Sequence, residues 1–212
     1  MILVGQYDSP YVRRVAIAMH VYGIPFERYT RSVFSDADAI RTINPLGRIP
    51  ALVLDDGEVL IDSAAILDYL DERVGSEPRL LPSRGPERRK ALQIIALASG
   101  TLDKAGAIVY EQTLRPPDKQ LASWLDRCSV QVETGLDALE ALTRGSWYLG
   151  DSLSHADISV GCTLAYFPLR GLPQLSPARH PQLVRKAAAC EALDAFALTR
   201  PATDEVMPSG LR

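Results

Sequence analysis

The sequence predicts an α/β domain of order β-α-β-α-β-β-α followed by an all-helical domain, and three observations carry that expectation. Residues 1–75 alternate short strand-like runs with helical segments, whereas the chain from about residue 86 shows only helical periodicity. Between them, residues 75–86 hold three prolines and two glycines, a composition suited to a linker. The expected boundaries are therefore 1–78 for the first domain, 79–85 for the linker and 86–212 for the helical domain.

Taken in order, Ile2 to Gly5 reads as a strand, and Pro10 to Tyr22 as a helix with Val12, Val15, Ala16 and Met19 on its apolar face, stopped by Gly23 and Pro25. Phe26 to Thr30 suits a second strand, and Asp36 to Asn44 a short, weakly patterned helix. Ala51 to Leu54 and Val59 to Ile61 form an expected hairpin turning at Asp55-Asp56-Gly57, because Asp-Gly tolerates the positive dihedrals of tight turns. A helix from Ser63 to Val74 follows, with Ile66, Tyr69, Leu70 and Val74 on one face and Ser63 placed to cap it.

In the second part, Leu121, Leu125, Cys128, Val132, Leu136, Leu139 and Leu142 recur at spacings of three and four, so one long amphipathic helix of a bundle is expected. Ser154 and Asp157 stand at the spacing of a capping box, flanked by Leu153 and Ile158 as a hydrophobic staple, so a buried helix should begin at Ser154. Residues 201–212 read as a loosely structured tail.

Composition excludes several classes of function. Apolar residues make up 47% of the 212 residues, enough for an ordinary globular core, and the formal charge is −3. That charge supplies no basic stripe for a phosphate backbone; the cluster Arg84, Arg88, Arg89 and Lys90 reads as a solvated helix face, and no nucleic-acid partner is expected. Apolar runs such as Leu92 to Ala98 are interrupted by Gln93 and fall short of the ~20 residues a bilayer span needs, so no membrane segment is expected. The N-terminus runs straight into a strand pattern without a signal-peptide organisation, which points to a cytoplasmic location. Cys128, Cys162 and Cys190 are far apart and lie in helical patterns, as core thiols do in a reducing compartment. With His20, His155 and His180 as the histidines and no paired ligand spacing, no metal is expected.

The chemistry concentrates in three ordered motifs. Ser9-Pro10-Tyr11-Val12-Arg13-Arg14-Val15 sets a serine at an N-cap and a proline at the first helical position, directly after the first strand. Asn44-Pro45-Leu46-Gly47-Arg48-Ile49-Pro50-Ala51-Leu52 comes next, and Leu60-Ile61-Asp62-Ser63-Ala64-Ala65-Ile66 closes the set. A thioredoxin or glutaredoxin would carry Cys-Pro-Tyr-Cys in the first motif; Ser9 and Val12 stand in those places, which removes dithiol exchange. Together the motifs and their spacing resemble the cytosolic glutathione S-transferase family over essentially the whole chain, in particular bacterial members with a serine at the thiol site. The resemblance implies a thioredoxin-like first domain, a helical second domain, glutathione as co-substrate with no tightly bound cofactor, and a homodimer working in detoxification.

It also implies roles for individual residues. Ser9 would donate a hydrogen bond to the glutathione sulfur, while the dipole of the helix after Pro10 adds to the stabilisation of a thiolate. A free cysteine thiol is mostly protonated at neutral pH, and a shift of ~2 pKa units corresponds to about 2.7 kcal/mol. An ordinary N-cap is the alternative role of Ser9. Ile49, before a cis Pro50, would pair through its backbone with the cysteinyl unit. The helix start at Ser63 would receive the γ-glutamyl carboxylate, with Asp62 near the ammonium group; a plain helix cap is again the alternative. Arg48 would approach the glycyl carboxylate or remain a solvated flank.

Tyr7 is the rival to Ser9, because other transferase classes use a tyrosine near the end of the first strand. The second-substrate pocket would lie between the domains, bordered by the first helix and by the long helix through Leu102, Tyr110 and Glu111, with Tyr11, Tyr110, Arg115 and Tyr166 as candidate lining residues, while Ser99 or Asp103 would reach the partner's glutathione. Each of these has core packing or a solvated face as its alternative. The activity implied is conjugation or reduction of a small hydrophobic electrophile. The alternatives are a noncatalytic interaction protein of the same fold and a glutathione-dependent isomerase or dehalogenase.

Overall fold

The computed structural model describes residues 1–75 and 79–205 of the chain. It divides into two compact units. The first comprises Met1–Leu81 together with residues 192–205, and the second is Pro82–Glu191.

The first unit is built on a four-stranded sheet of order β2-β1-β3-β4, with β1 at Ile2–Val4, β2 at Glu27–Tyr29, β3 at Ala51–Val53 and β4 at Val59–Ile61. β1 pairs in parallel with β2, which requires a crossover, and α1 (Pro10–Val21) supplies it. β1 and β3 are antiparallel with Leu3 opposite Leu52, and β3 and β4 are antiparallel with Leu52 opposite Leu60. The last pair turns at Asp55-Asp56-Gly57, where Gly57 has φ +90° and the Leu54 N–H donates to the Glu58 carbonyl at 2.8 Å. α2 (Ala37–Arg41) buries only Ile40, whereas α3 (Ser63–Val74) buries Ile66, Leu67 and Leu70 and packs on α1. The expected order of elements is the observed one.

α1 is more deeply buried than a one-faced helix should be. Val12, Val15, Ala16 and Met19 are covered as their spacing predicts, and so are Arg13, Arg14, Ile17 and Ala18. The cause is the returning segment, whose short helix α8 (Asp194–Ala197) packs on α1: Arg13 Nη2 donates to the Phe196 carbonyl at 3.0 Å. The helix stops at Tyr22, and Gly23 at φ +63° lets the Ile24 N–H reach the Met19 carbonyl at 2.9 Å.

The tail also differs from its reading as loose chain. Thr203–Glu205 forms a 3-10 turn and Glu205 is buried, a role invisible in a sequence whose polar pattern is that of a surface strand of coil. Residues 206–212, and Ser76, Glu77 and Pro78 of the linker, lie outside the described residues.

The second unit is helical, with α4 (Gly85–Leu114), α5 (Ala122–Leu142), α6 (His155–Arg170) and α7 (Pro181–Glu191). α4 is the central element, packing against α5 and α6. At 30 residues with a stretch of mean hydropathy 1.3, it is long and apolar enough by composition to cross a membrane, which the shorter apolar runs read along the sequence did not suggest. The core helix of a bundle meets the same criterion, and α4 has its neighbours within the unit. Gly135 of α5 sits so close to α4 that a Cβ there would collide with Thr101 Oγ1.

α6 begins as predicted: Asp157 Oδ2 accepts from the Ser154 N–H at 3.1 Å and from its hydroxyl at 2.6 Å. The other oxygen of Asp157 accepts from the Tyr148 N–H and from Lys186 Nζ, both at 2.9 Å, so one fully buried carboxylate fixes the helix start, the preceding loop and α7. Cys128, Cys162 and Cys190 are all buried and in no disulfide among the described residues, and burial pushes the Cys190 thiol up to about 12.

Candidate functional site

Ser9 occupies the N-cap of α1 in extended conformation, followed by Pro10, whose fixed φ and missing N–H suit the first helical position. As a cap it is loosely engaged. The Val12 N–H approaches Ser9 Oγ at 3.5 Å, the outer limit of a hydrogen bond, and among the described residues the hydroxyl has no other partner. Ser9 is half-buried, so a hydroxyl with a free proton stands at the positive end of a buried helix that has no acidic residue in its first turn.

The loop from β1 into this helix is held close to the second motif. Gly5 has φ +130°, and a Cβ on it would meet Val12 Cγ2 at 2.6 Å and Ile49 Cβ at 2.9 Å. Only glycine permits that approach, and it brings the start of α1 beside Ile49. The Ile49–Pro50 peptide bond is cis. Among the described residues neither the N–H nor the carbonyl of Ile49 is engaged in a hydrogen bond, and the residue is only half-buried. Asn44, which is buried, organises the chain before it: its Nδ2 donates to the Arg48 carbonyl at 2.7 Å and its Oδ1 accepts from the Leu46 N–H at 3.0 Å. Arg48 itself is exposed.

At the third motif the cap differs from the expected one. Asp62, not Ser63, is the N-cap of α3, its Oδ1 accepting from the Ala64 N–H at 2.8 Å. Asp is as good a cap as Ser, and Ser63 is already inside the helix. Asp62 adopts φ +71°, the one positive value at a non-glycine among the described residues. Such a conformation is costly away from glycine and collects at functional sites. It turns the chain so that Ser63 is 3% exposed with its Oγ accepting from Arg14 Nη2 at 2.6 Å. With a lone pair of Oγ engaged by the cation, the hydroxyl proton is left to donate.

Arg14 is the residue of this site to which the sequence reading gave no role. Its position inside an amphipathic helix signals nothing, because an arginine there is normally solvated; only the packing of α3 on α1 makes it a bridge between two helix starts. Its guanidinium also lies 5.4 Å from the centroid of the half-buried Tyr11 ring.

Tyr7 is placed differently from Ser9. It is 3% exposed, and the Arg28 guanidinium lies 3.5 Å above its ring centroid. Burial pushes its phenol up from the usual tyrosine range, a shift that Arg28 opposes and Glu205 reinforces. The other residues named for the second-substrate pocket and the partner's glutathione sit in the second unit. Tyr110 and Asp103 of α4 are exposed, Leu102 and Tyr166 are buried, and Ser99 is half-buried. Arg115 Nε pairs with Glu111 Oε2 at 3.1 Å, while Glu111 Oε1 accepts from the Leu121 N–H at 3.0 Å, so this pair ties the end of α4 to the start of α5.

Residues 3–78 match the family model described as Glutathione S-transferase, N-terminal domain, and residues 122–185 match Glutathione S-transferase, C-terminal domain. The chain is 31% identical to the uncharacterized GST-like protein YibF of Escherichia coli, over 95% of this chain and 98% of that protein. It is 29% identical to maleylacetoacetate isomerase of Rattus norvegicus, over 100% and 97% of the two chains. Among solved structures, a glutathione transferase family member from Pseudomonas fluorescens with bound glutathione superposes with a TM-score of 0.86 at 35% identity, covering 95% of this chain and 99% of the other. A glutathione S-transferase from Methylobacterium radiotolerans in complex with glutathione sulfonate gives 0.88 at 31% identity, covering 95% of each. With the fold, the three motifs and these similarities in agreement, the chain belongs to the glutathione S-transferase family.

Proposed function

We propose that the chain is a glutathione transferase that binds glutathione at the three motifs, stabilises its thiolate through Ser9, and conjugates or reduces a small hydrophobic electrophile. The observation that carries this reading is the loosely capped Ser9 hydroxyl at the N-terminus of α1, a helix whose first turn is held through Gly5 close to Ile49, whose backbone has no hydrogen-bond partner among the described residues. The hydroxyl donates to sulfur, and the exposed N–H groups and dipole of the helix start favour the anionic form. The Ile49 N–H and carbonyl pair with the cysteinyl backbone. Pro50 holds that segment in place.

The γ-glutamyl carboxylate is taken by the start of α3, where the Ser63 hydroxyl and the N–H groups not used by Asp62 converge, and Asp62 receives the ammonium group. Arg14 orients the Ser63 hydroxyl and adds positive charge behind it. Two bound reactants held together need no covalent enzyme intermediate, and no metal or tightly bound cofactor takes part. Tyr11 borders the electrophile, the chain acts as a homodimer in the cytoplasm, and detoxification is its role.

A second reading, glutathione-dependent isomerisation, is favoured by the full-length similarity to maleylacetoacetate isomerase. Both use the same thiolate and differ in what it attacks. Turnover of wild type and Ser9→Ala on chlorodinitrobenzene, an organic hydroperoxide, a haloalkane and a keto acid with a cis carbon–carbon double bond beside the ketone separates them. Conjugation lowered ~10- to 1000-fold in the mutant, with unchanged binding of glutathione, is the outcome expected for a thiolate-stabilising hydrogen bond. Turnover of the keto acid alone would select the isomerase. Wild-type turnover retained in Ser9→Ala would remove Ser9 from its role.

A further inference from the structure

We infer that Glu205, in the returning C-terminal segment, is a positioning residue for the thiolate site, a role that rests on the reading of Ser9 given above. The loop between β1 and α1 is short, and its amides are tied one after another. The Gly5 N–H donates to the Tyr29 carbonyl at 3.0 Å and the Ser9 N–H to the Gln6 carbonyl at 3.2 Å. Between them the Tyr7 N–H donates to Glu205 Oε2 at 2.7 Å, a partner 198 positions along the chain. The other oxygen, Oε1, accepts from Arg28 Nη2 at 2.7 Å, and Arg28 in turn lies on the face of the Tyr7 ring. One carboxylate thus grips the same residue twice, by its backbone directly and by its side chain through a cation.

Both bonds are charge-assisted; Glu205 is only 6% exposed, so its bond to the Tyr7 N–H acts where water competes little, whereas the Arg28 side chain is 33% exposed and its bond is partly screened. Their effect reaches Ser9 because, among the described residues, its hydroxyl has no hydrogen-bond partner besides the Val12 N–H at 3.5 Å, so its position follows the backbone of residues 5–9. A displacement of ~1 Å at a hydrogen-bonding group is enough to cost a large part of a rate enhancement. The same returning segment holds α1 itself through the Phe196 carbonyl and Arg13. The first unit therefore takes the geometry of its helix start from residues that follow the whole helical domain in sequence.

The test uses the full-length protein as wild type, Glu205→Ala, Glu205→Gln, Arg28→Met and Ser9→Ala. Two quantities are read: amide hydrogen exchange in the segment 5–12, and the pH titration of bound glutathione followed by thiolate ultraviolet absorbance. Glu205→Ala is expected to speed exchange about tenfold or more and to move the thiol titration to higher pH. Glu205→Gln keeps an oxygen for the Tyr7 N–H and should recover part of both effects, and Arg28→Met, which leaves that oxygen in place, should show a smaller shift in the same direction. These two variants decide the matter if Glu205→Ala does not fold.

Faster exchange with an unmoved titration would overturn the inference, because Glu205 would then serve stability alone. So would unchanged exchange. If Ser9→Ala moves the titration and the Glu205 variants do not, the positioning role falls and Ser9 stands. If the Glu205 variants move it and Ser9→Ala does not, the role of Ser9 falls while the loop is still held by Glu205 for another donor.

Discussion

The Arg14 guanidinium donates to the Ser63 hydroxyl at 2.6 Å, joining α1 to the start of α3. Both residues are buried, so the bond is a fixed part of the site rather than a surface contact. Arg14→Met preserves much of the apolar stem and removes the donor. It should weaken glutathione binding about tenfold in calorimetry, the size of one lost hydrogen bond to a charged group, with little change in the KM of the electrophile. An equal rise in both would place Arg14 in overall stability instead.

Gly135 and Thr101 make a close approach between α4 and α5. Gly135→Ala should destabilise the protein by about 1–3 kcal/mol in urea unfolding, because the new methyl group collides with Thr101 Oγ1. Thr101→Ala in the same chain should return part of that loss. Helix propensity alone predicts the opposite sign for Gly135→Ala, so the sign itself is informative.

Lys186 and Asp157 form an ion pair at 2.9 Å with neither side chain more than 1% exposed. Lys186→Met leaves a buried carboxylate without its cation and should cost about 3–5 kcal/mol. In a chain of this length that lowers the thermal midpoint by roughly 10 °C. A drop of a degree or two would mean that the Tyr148 and Ser154 donors suffice for Asp157.

Cys190 carries a thiol whose pKa burial pushes up to about 12 from an ordinary value of 9.0, and burial likewise raises Cys128. The unfolded chain releases the Cys190 proton near pH 9 while the folded chain keeps it to about 12. The unfolded state thus binds fewer protons in that window, and stability should fall as pH climbs through it. At pH 8 the three thiols should be silent to a disulfide reagent in the native protein and all react in urea. Rapid labelling of the native state would contradict the buried placement.

How much of this was legible depends on how local each determinant is. The extent of α3, the Asp-Gly hairpin and the Ser154–Asp157 capping box follow from residues within a few positions of one another, and each lies where the spacing put it. Ser9, Ile49 and Asp62-Ser63 could be found as motifs. The cap assignment at α3 was off by one residue, because Asp and Ser are both good caps and only the positive φ of Asp62 decides between them. Arg14 and Glu205 were illegible for a different reason. Each is a charged residue in an unremarkable local pattern, and each acquires its partner only when segments 49 and 198 positions apart are folded together. The apolar stretch of α4 was understated because it runs through charged residues that the bundle tolerates.

The central claim, that the start of α1 with Ser9 keeps a bound sulfur anionic, is tested most directly by titrating the thiol of bound glutathione in wild type and Ser9→Ala by ultraviolet absorbance. The wild-type complex should titrate about 2 units below free glutathione, and the mutant should recover much of that gap while still binding the tripeptide. A wild-type complex that titrates like the free peptide, or a mutant that titrates like wild type, would contradict it.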